Sequence, residues 1–250
     1  MAAAVAGAVA AGHVVPAGSW LPGPRGLLLP GLDGRGHPGR VALTFDDGPD
    51  PRSTPHILRA LDRLQVRATF FVLGDRLAGR RALGRLMAAE GHELAVHGWH
   101  HDRPWWPRPV RDAVETRRTA ELVAGVCGEW PLWYRPPYGI LTGGRWTAAR
   151  TCGLRPVLWS AWGRDWAAGA TPDGVTAEVL RGLRGGGTVL LHDSDTVSAP
   201  DSWRATLGAL PGLVGACRER GLTVGRLADH AVRGADRGHG SRREPPAGAR

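Results

Sequence analysis

Two adjacent carboxylates, Asp46 and Asp47, end the apolar run VALTF (41–45) and stand directly before a Gly-Pro turn. Two like charges at the end of a buried strand repel each other and are costly to desolvate unless a cation compensates them. A divalent metal ion would supply that cation, with one carboxylate as its ligand and the other free to take a proton from a water on the metal. The pair therefore predicts a metal-assisted hydrolytic site.

Histidines at metal-ligand spacing occur further along the chain. His97 and His101 are four residues apart, and His100 is three residues after His97. If this segment forms a helical turn, imidazoles at a spacing of four project from the same side and can bind one ion, whereas His100 offers a rival register. His92, at the start of the predicted strand 92–96, lies too far from His97 to bind the same ion. Two neutral imidazoles and one carboxylate, with positions left open for water and substrate, are typical of catalytic zinc.

Three more polar residues that could serve this chemistry follow apolar runs, and they are Arg135, Asp165 and His192. His192 could protonate the leaving group, with Asp165 holding and charging its imidazole. Arg135 could pair with the aspartate that does not bind metal and keep it ionised. A backbone N–H would complete the stabilisation of the tetrahedral oxyanion.

The hydropathy pattern predicts a scaffold that brings these distant residues together. Apolar runs recur at 41–45, 67–73, 92–96, 131–135, 155–159, 187–191 and 222–227, and amphipathic stretches separate them, among which the Arg-rich stretch at 75–90 is expected to form a helix. Such alternation is typical of an α/β fold, in which helices cover a parallel sheet and sites form at the carboxyl ends of strands. The pattern suits either a barrel or an open doubly wound sheet.

Composition indicates one globular domain with atypical ends. Hydrophobic residues make up 42% and charged residues 22% of the 250 positions. Residues 1–38 and 233–250 are rich in Gly, Ala, Pro and Arg, which predicts poorly ordered flanks around a domain at 39–232. The apolar start lacks a basic region and is interpreted as a flexible or membrane-targeting segment, so membrane association is expected only if it is an anchor. An extracytoplasmic or cell-envelope location is favoured.

Charge and cysteine content exclude several other classes of protein. The formal charge of +9 comes entirely from arginine, and the basic tail at 233–250 carries a third of it. No basic run is interleaved with aromatic residues, so we expect no nucleic-acid partner, and nothing implies a stable protein partner. Three distant cysteines without a CxxC motif predict neither a disulfide framework nor a thiolate zinc site; they are Cys127, Cys152 and Cys217.

The motifs TFDDGP, HGWHH, RPPYG, WGRDW and LLHD, in this order, resemble those of the polysaccharide deacetylases of carbohydrate esterase family 4. The resemblance covers about residues 41–195 and implies a distorted (β/α) barrel, usually of seven strands, in a single domain. It also implies a divalent metal ion, with Zn²⁺ favoured over Co²⁺ or another ion. Asp46 would be the catalytic base and Asp47 the carboxylate ligand, with His97 and His101 completing the metal site.

By the same resemblance, the other polar residues take defined roles. Arg135 would orient the base, and the backbone N–H of Tyr138 would help to form the oxyanion hole. Asp165 would tune His192, which would be the general acid.

Tryptophan is abundant, with 11 residues beside two Tyr and three Phe, and its faces suit sugar rings. The resemblance implies that Leu190 and Trp166 shape the acetyl pocket. Trp99, Trp105 and Trp106 lie in the loop beside the predicted ligands and are predicted glycan subsites. Two further residues, Trp159 and Trp162, are predicted to line or underpin the pocket.

Two positions depart from the family pattern. Gly98 stands where Ser or Thr usually follows the first histidine, and we expect a looser ligand loop. Trp162 stands where the fourth motif commonly begins with Asp, so one carboxylate of the network around Arg135 is missing.

The combined pattern predicts a metal-dependent hydrolase that removes N-acetyl groups from N-acetylglucosamine units of a poly- or oligosaccharide. One alternative is an O-acetyl esterase, for example on xylan, or a hydrolase of a small cyclic amide on the same scaffold. Another alternative is a catalytically silent glycan-binding protein, against which the presence of Asp46 and His192 argues.

Overall fold

The computed structural model describes residues 29, 31–230 and 232. The predictions about the basic tail and most of the N-terminal segment lie outside the described residues. Residues 31–38, predicted to belong to a flexible flank, are packed onto the domain. Leu32 is buried, and the backbone N–H of Gly36 donates to the carbonyl of Gly186 at 2.9 Å. The packed domain therefore includes these residues, ahead of the predicted boundary at 39.

Within the described residues, eight parallel strands form one curled sheet and seven helices accompany it. The strands are β1 (Arg40–Asp46), β2 (Thr69–Val72), β3 (Glu93–Val96), β4 (Trp133–Tyr134), β5 (Arg155–Pro156), β6 (Ala161–Trp162), β7 (Thr188–His192) and β8 (Thr223–Gly225). The helices are α1 (Thr54–Arg63), α2 (Gly74–Ala78), α3 (Arg81–Ala89), α4 (Pro109–Cys127), α5 (Gly143–Thr151), α6 (Pro172–Gly182) and α7 (Trp203–Glu219). None of these helices is both long and apolar enough to cross a membrane.

The sheet is a distorted (β/α) barrel, as the resemblance implied. Seven strands follow the order β5-β4-β3-β2-β1-β7-β6, and β8 pairs with β1 beside this path. The barrel is open between β5 and β6, which do not pair. The parallel register sets Asp46 of β1 opposite Phe71 of β2 and His192 of β7. Catalytic candidates from strands far apart in sequence therefore meet at one edge.

The strand period of two decides which side chains of β1 face the site. Leu43 and Phe45 pack into the large cluster between the sheet and its helices. Ala42 packs with residues on the inner side of the barrel, and Thr44 also points inward because its hydroxyl meets Arg135 there. Asp46 continues this inward series at the end of the strand.

Local signals in the sequence account for most elements, with two differences. Thr171 caps α6, since its hydroxyl accepts a hydrogen bond from the N–H of Gly174 at 3.2 Å. The single helix expected at 75–90 is instead two helices, α2 and α3, and the two-residue strand β6 was not predicted. Within the described residues the cysteines are free, with Cys152 and Cys217 buried and Cys127 half-buried.

Candidate active site

Three ligand-type side chains converge at the carboxyl edge of the sheet. Asp47 follows β1, and His97 and His101 follow β3. The Oδ1 atom of Asp47 is 3.3 Å from Nε2 of His97 and 3.3 Å from Nε2 of His101. One ligand atom from each residue lies within 4.8 Å of the others, a spacing that suits a single ion.

The condition of the Asp47 carboxylate shows that this cluster fits a metal ion. Asp47 is 1% exposed, and neither of its carboxylate oxygens has a hydrogen-bond partner within the described part of the chain. A buried carboxylate without hydrogen bonds is costly, and a cation held at the cluster would compensate it. Two imidazole nitrogens and one carboxylate oxygen suit Zn²⁺ or a similar divalent ion.

The backbone at Asp47 explains how two consecutive aspartates reach one site. Asp47 has φ of 80°, in the left-handed region, whereas consecutive side chains of a continuing strand point to opposite faces. The turn therefore breaks the alternation, and both carboxylates approach His97. Its Nε2 is 3.3 Å from Asp47 and 3.8 Å from Oδ2 of Asp46.

Protonation of the three ligands suits metal binding. The Nδ1 atom of His97 lies 2.8 Å from the carbonyl oxygen of Arg135, so Nδ1–H donates there and Nε2 is left to bind. Burial lowers the pKa of His101 to about 4, which keeps this imidazole neutral. Burial alone would raise the pKa of Asp47, but His97, His192 and His101 lower it to about 2.

The histidine register follows from a loop rather than from the helical turn assumed above. His100 is exposed and pairs through Nδ1 with Oδ2 of Asp75 at 3.0 Å, so it does not join the cluster. Gly98 has φ of 98°, a conformation that favours glycine and is incompatible with a helical turn. The absence of Ser or Thr at this position therefore matches the backbone of this loop.

The catalytic-base candidate, Asp46, is held by a buried arginine. Arg135 is fully buried, and its Nη1 donates to Oδ1 of Asp46 at 2.7 Å and to the hydroxyl of Thr44 at 2.8 Å. Its Nη2 donates to the carbonyl of Leu158 at 2.8 Å. The contact fixes one oxygen of Asp46, while the other lies on the side of the metal cluster.

The acid candidate, His192, is held by a carboxylate in the same way. Asp165 accepts from Nδ1 of His192 at 3.0 Å and from its backbone N–H at 2.7 Å. The hydroxyl of Thr206 also donates to Asp165 at 2.7 Å. Burial would lower the pKa of His192, but Asp165, with Asp47 and Asp46, raises it to about 10. The imidazole is therefore charged at neutral pH and can donate a proton.

Asp193, for which the sequence pattern predicted no chemical role, binds the turn that carries both aspartates. It is buried and accepts from the backbone N–H of Gly48 at 3.1 Å and from the hydroxyl of Thr54. Burial raises its pKa to about 7. Its position directly after the predicted acid His192 was the one signal in the sequence that could have indicated it.

A cleft of about 430 Å³ lies over these groups, and aromatic side chains form much of its wall. The predicted residues on it are Tyr138, Leu190, Trp105, Trp159, Trp162 and Trp166. Trp105 is 69% exposed and stands at the mouth. Trp99 does not line this cleft. The guanidinium carbon of Arg118 lies 3.6 Å from the centroid of the Trp99 ring. Trp99 and Trp106 line a separate, smaller depression.

Known proteins that this chain resembles in sequence are deacetylases of one family. The sequence profile of the polysaccharide deacetylases matches residues 33–157. A chitooligosaccharide deacetylase of Bradyrhizobium sp. (strain ANU 289) is 39% identical over 191 residues, which cover 74% of this chain and 87% of that protein. The peptidoglycan-N-acetylglucosamine deacetylase PgdA of Listeria monocytogenes is 36% identical over 163 residues, covering 64% of this chain and 34% of that protein.

Solved structures agree with these sequence relatives. The Bc1960 peptidoglycan N-acetylglucosamine deacetylase superposes with a TM-score of 0.72 at 28% identity, over 79% of this chain and 91% of that one. The order of the motifs, the open barrel and the relatives lead to the same assignment. The chain belongs to the polysaccharide deacetylases of carbohydrate esterase family 4, and the relatives named here are deacetylases, which hydrolyse carbon–nitrogen bonds.

Proposed function

We propose that this chain removes N-acetyl groups from N-acetylglucosamine units of a poly- or oligosaccharide, with a divalent metal ion, Zn²⁺ or Co²⁺, as cofactor. One observation carries the proposal. A three-residue metal-ligand cluster shares one cleft with two separately held proton-transfer groups, Asp46 and His192. A glycan-binding protein without activity would have no use for a base and an acid positioned in this way.

The residues of the cleft divide the reaction between them. Asp47, His97 and His101 would hold the metal ion. When bound, the ion supplies a Lewis acid that lowers the pKa of water and polarises the acetyl carbonyl. Asp46 takes the proton of the attacking water, and Arg135 holds one of its carboxylate oxygens and so orients the group.

Collapse of the tetrahedral intermediate requires an acid and an oxyanion donor. The charged imidazole of His192 gives its proton to the leaving amine, and Asp165 holds the ring by its Nδ1 so that Nε2 is the donor. The backbone N–H of Tyr138 donates to the developing oxyanion. Leu190 and Trp166 enclose the acetyl methyl group, and the exposed face of Trp105 receives a neighbouring sugar ring.

Acetate release tests this function and separates it from its alternatives. The Zn²⁺-loaded protein is assayed on N-acetylglucosamine oligomers, peptidoglycan fragments and acetylated xylan. We expect acetate from the first or second substrate and not from xylan, because the proposed substrate is an N-acetyl sugar. Release from xylan alone would favour the O-acetyl esterase, and no release from any acetylated glycan would favour a binding protein.

The Asp46→Asn variant tests the assigned base with a readout of metal in the same sample. Elemental analysis should find about one ion per chain in wild type and variant, because Asp46 is not a ligand. Turnover should fall by about 10²- to 10⁴-fold, the contribution of a general base. Activity near the wild-type level would remove Asp46 from the mechanism, and loss of metal would make it a ligand.

We also propose an extracytoplasmic or cell-envelope location, because cell-wall glycans of this class lie outside the cytoplasm. Fractionation of cells that express the full chain, followed by immunodetection, tests this. Recovery only in the cytoplasmic fraction would contradict it.

A further inference from the structure

A second buried arginine, Arg145, joins the two loops that carry the site and lies behind them. It belongs to the first turn of α5 and is 6% exposed. Its Nη1 donates to the carbonyl oxygens of Pro137 at 3.3 Å and Ile140 at 3.2 Å. Its Nη2 donates to the carbonyl oxygen of Asp102 at 2.7 Å. One planar guanidinium therefore binds the turn at 137–140 and the loop that follows His101.

The contact with Pro137 controls the direction of the oxyanion donor. The carbonyl of Pro137 and the N–H of Tyr138 belong to one trans peptide unit, in which the two groups point in opposite directions. Arg145 and the N–H of Ile140 bind this carbonyl, and Arg145 and Pro137 border the small depression beside Trp99 and not the cleft. The N–H of Tyr138 therefore points away from Arg145, and Tyr138 itself lines the cleft.

The turn needs such support because its backbone is strained. Tyr138 has φ of 59°, in the left-handed region that a bulky residue rarely adopts. Without the guanidinium, the peptide unit before Tyr138 could rotate to relieve this strain. The N–H would then leave the position that the oxyanion requires.

The contact with Asp102 fixes the neighbouring ligand loop. Asp102 directly follows His101, and Arg111 also holds its carboxylate at 2.6 Å. The ring of Tyr138 lies edge-on to the ring of His101, with centroids 4.2 Å apart. Arg145 therefore sets the separation between a metal ligand and the oxyanion donor.

We propose that Arg145 is a positioning residue for deacetylation, which aims the Tyr138 N–H and fixes its distance from His101; this rests on the proposed function. Loss of one oxyanion-hole donor costs about 10²- to 10³-fold in kcat. Because the donor meets full charge only in the transition state, a misaimed N–H lowers kcat and leaves KM nearly unchanged.

Two variants of Arg145 and one matched control test this inference. Arg145→Met removes the donors and keeps much of the side-chain volume, whereas Arg145→Lys keeps a charge that cannot span both loops. Arg150→Met removes an exposed arginine from the same helix, α5. Each protein is measured for kcat and KM on an N-acetylglucosamine oligomer, for Zn²⁺ content, and for hydrogen exchange of peptides covering 98–106 and 135–142.

We expect kcat to fall about 10²-fold in Arg145→Met and at least about tenfold in Arg145→Lys, with KM within about twofold of wild type. Hydrogen exchange should quicken in both peptides and not in the rest of the domain. Arg150→Met should behave as wild type. This combination separates positioning from a general loss of stability, which would quicken exchange everywhere and spare the kcat of the folded fraction.

A kcat within about threefold of wild type in both Arg145 variants would overturn the proposal. If Arg145→Met does not fold, the result for Arg145→Lys decides. If the wild type releases no acetate from any glycan, the proposed function fails, but the exchange measurement still tests the bridge. Unchanged exchange in both peptides would then overturn the inference about Arg145.

Discussion

Asp46 and Asp47 are neighbours in the chain, but their carboxylates have different surroundings. Asp46 accepts a hydrogen bond from Arg135, whereas Oδ1 of Asp47 faces the Nε2 atoms of both His97 and His101. A guanidinium that binds a carboxylate orients it as a base, and imidazole nitrogens around a carboxylate mark a metal site. At the scale of single residues, the contacts of each carboxylate therefore distinguish the catalytic base, Asp46, from the metal ligand, Asp47.

The assignment of His101 as the second histidine ligand gives a prediction with a matched control, because His100 is its neighbour in the chain. His101→Ala should lower affinity for Zn²⁺ by more than about 100-fold, because removal of a ligand costs more than removal of a supporting partner. His100→Ala should keep its metal, because His100 pairs with Asp75 at the surface. Isothermal titration of the chelator-treated proteins with Zn²⁺ measures both. Metal loss in His100→Ala alone would show that the register is wrong.

The pairing of Asp165 with His192 gives a second prediction at this scale. Asp165→Asn removes the largest of the contributions that raise the pKa of His192, so that pKa should fall and less of the imidazole should be charged at pH 8. We expect kcat at pH 8 to fall by about 10²- to 10⁴-fold and to recover partly as the pH is lowered. The exposed Asp173→Asn serves as control. A kcat profile parallel to that of wild type would contradict the assigned acid.

At the scale of elements, the turn after β1 depends on a glycine. A Cβ atom at Gly48 would lie 2.1 Å from Oδ2 of Asp193, whose carboxylate is buried and already hydrogen-bonded. Gly48→Ala should therefore destabilise the domain by about 1–3 kcal/mol, as overpacking does, and displace both aspartates. Gly215→Ala in α7 meets no atom within 4 Å and should be neutral or stabilising. Urea unfolding of both variants measures the difference, and equal stability would contradict the close packing.

The sequence predicted the long elements because their patterns repeat. Strands β1, β2, β3 and β7 are buried on both faces and read as continuous apolar runs. A two-residue strand such as β6 has no period to detect, so pairing with β7 alone defines it. The break between α2 and α3 was missed because the amphipathic pattern continues through Gly79, while the backbone does not.

The sequence predicted which residue types form the site, but it predicted their backbone conformation and side-chain directions less well. The spacing of His97 and His101 indicated a ligand pair, although a loop with Gly98 in a left-handed conformation brings them together, and not a helix. Side-chain directions in such a loop follow no period, so the sequence could not distinguish Trp105, which lines the cleft, from Trp99, which does not. These directions depend on long-range contacts.

At the scale of the whole molecule, the two ends of the barrel have different roles. The catalytic groups follow the carboxyl ends of the strands, whereas His92 lies buried just before the amino end of β3. Its Nδ1 accepts a hydrogen bond from the N–H of Ala68 at 3.1 Å. Burial and the charges of Arg67 and Arg226 lower the pKa of His92 to about 4.

This histidine makes the stability of the whole domain depend on pH in a predictable direction. Between pH 6.5 and 4, His92 binds a proton in the unfolded chain but stays neutral in the native state. The free energy of unfolding therefore falls as the pH falls through this window. His92→Gln keeps an acceptor for Ala68 and should remove up to about 3 kcal/mol of this pH dependence. Urea midpoints from pH 4.5 to 8 measure it, with metal chelated throughout. His56→Gln, an exposed histidine of α1, should leave the wild-type slope intact. Parallel slopes for wild type and His92→Gln would mean that this imidazole titrates alike in both states.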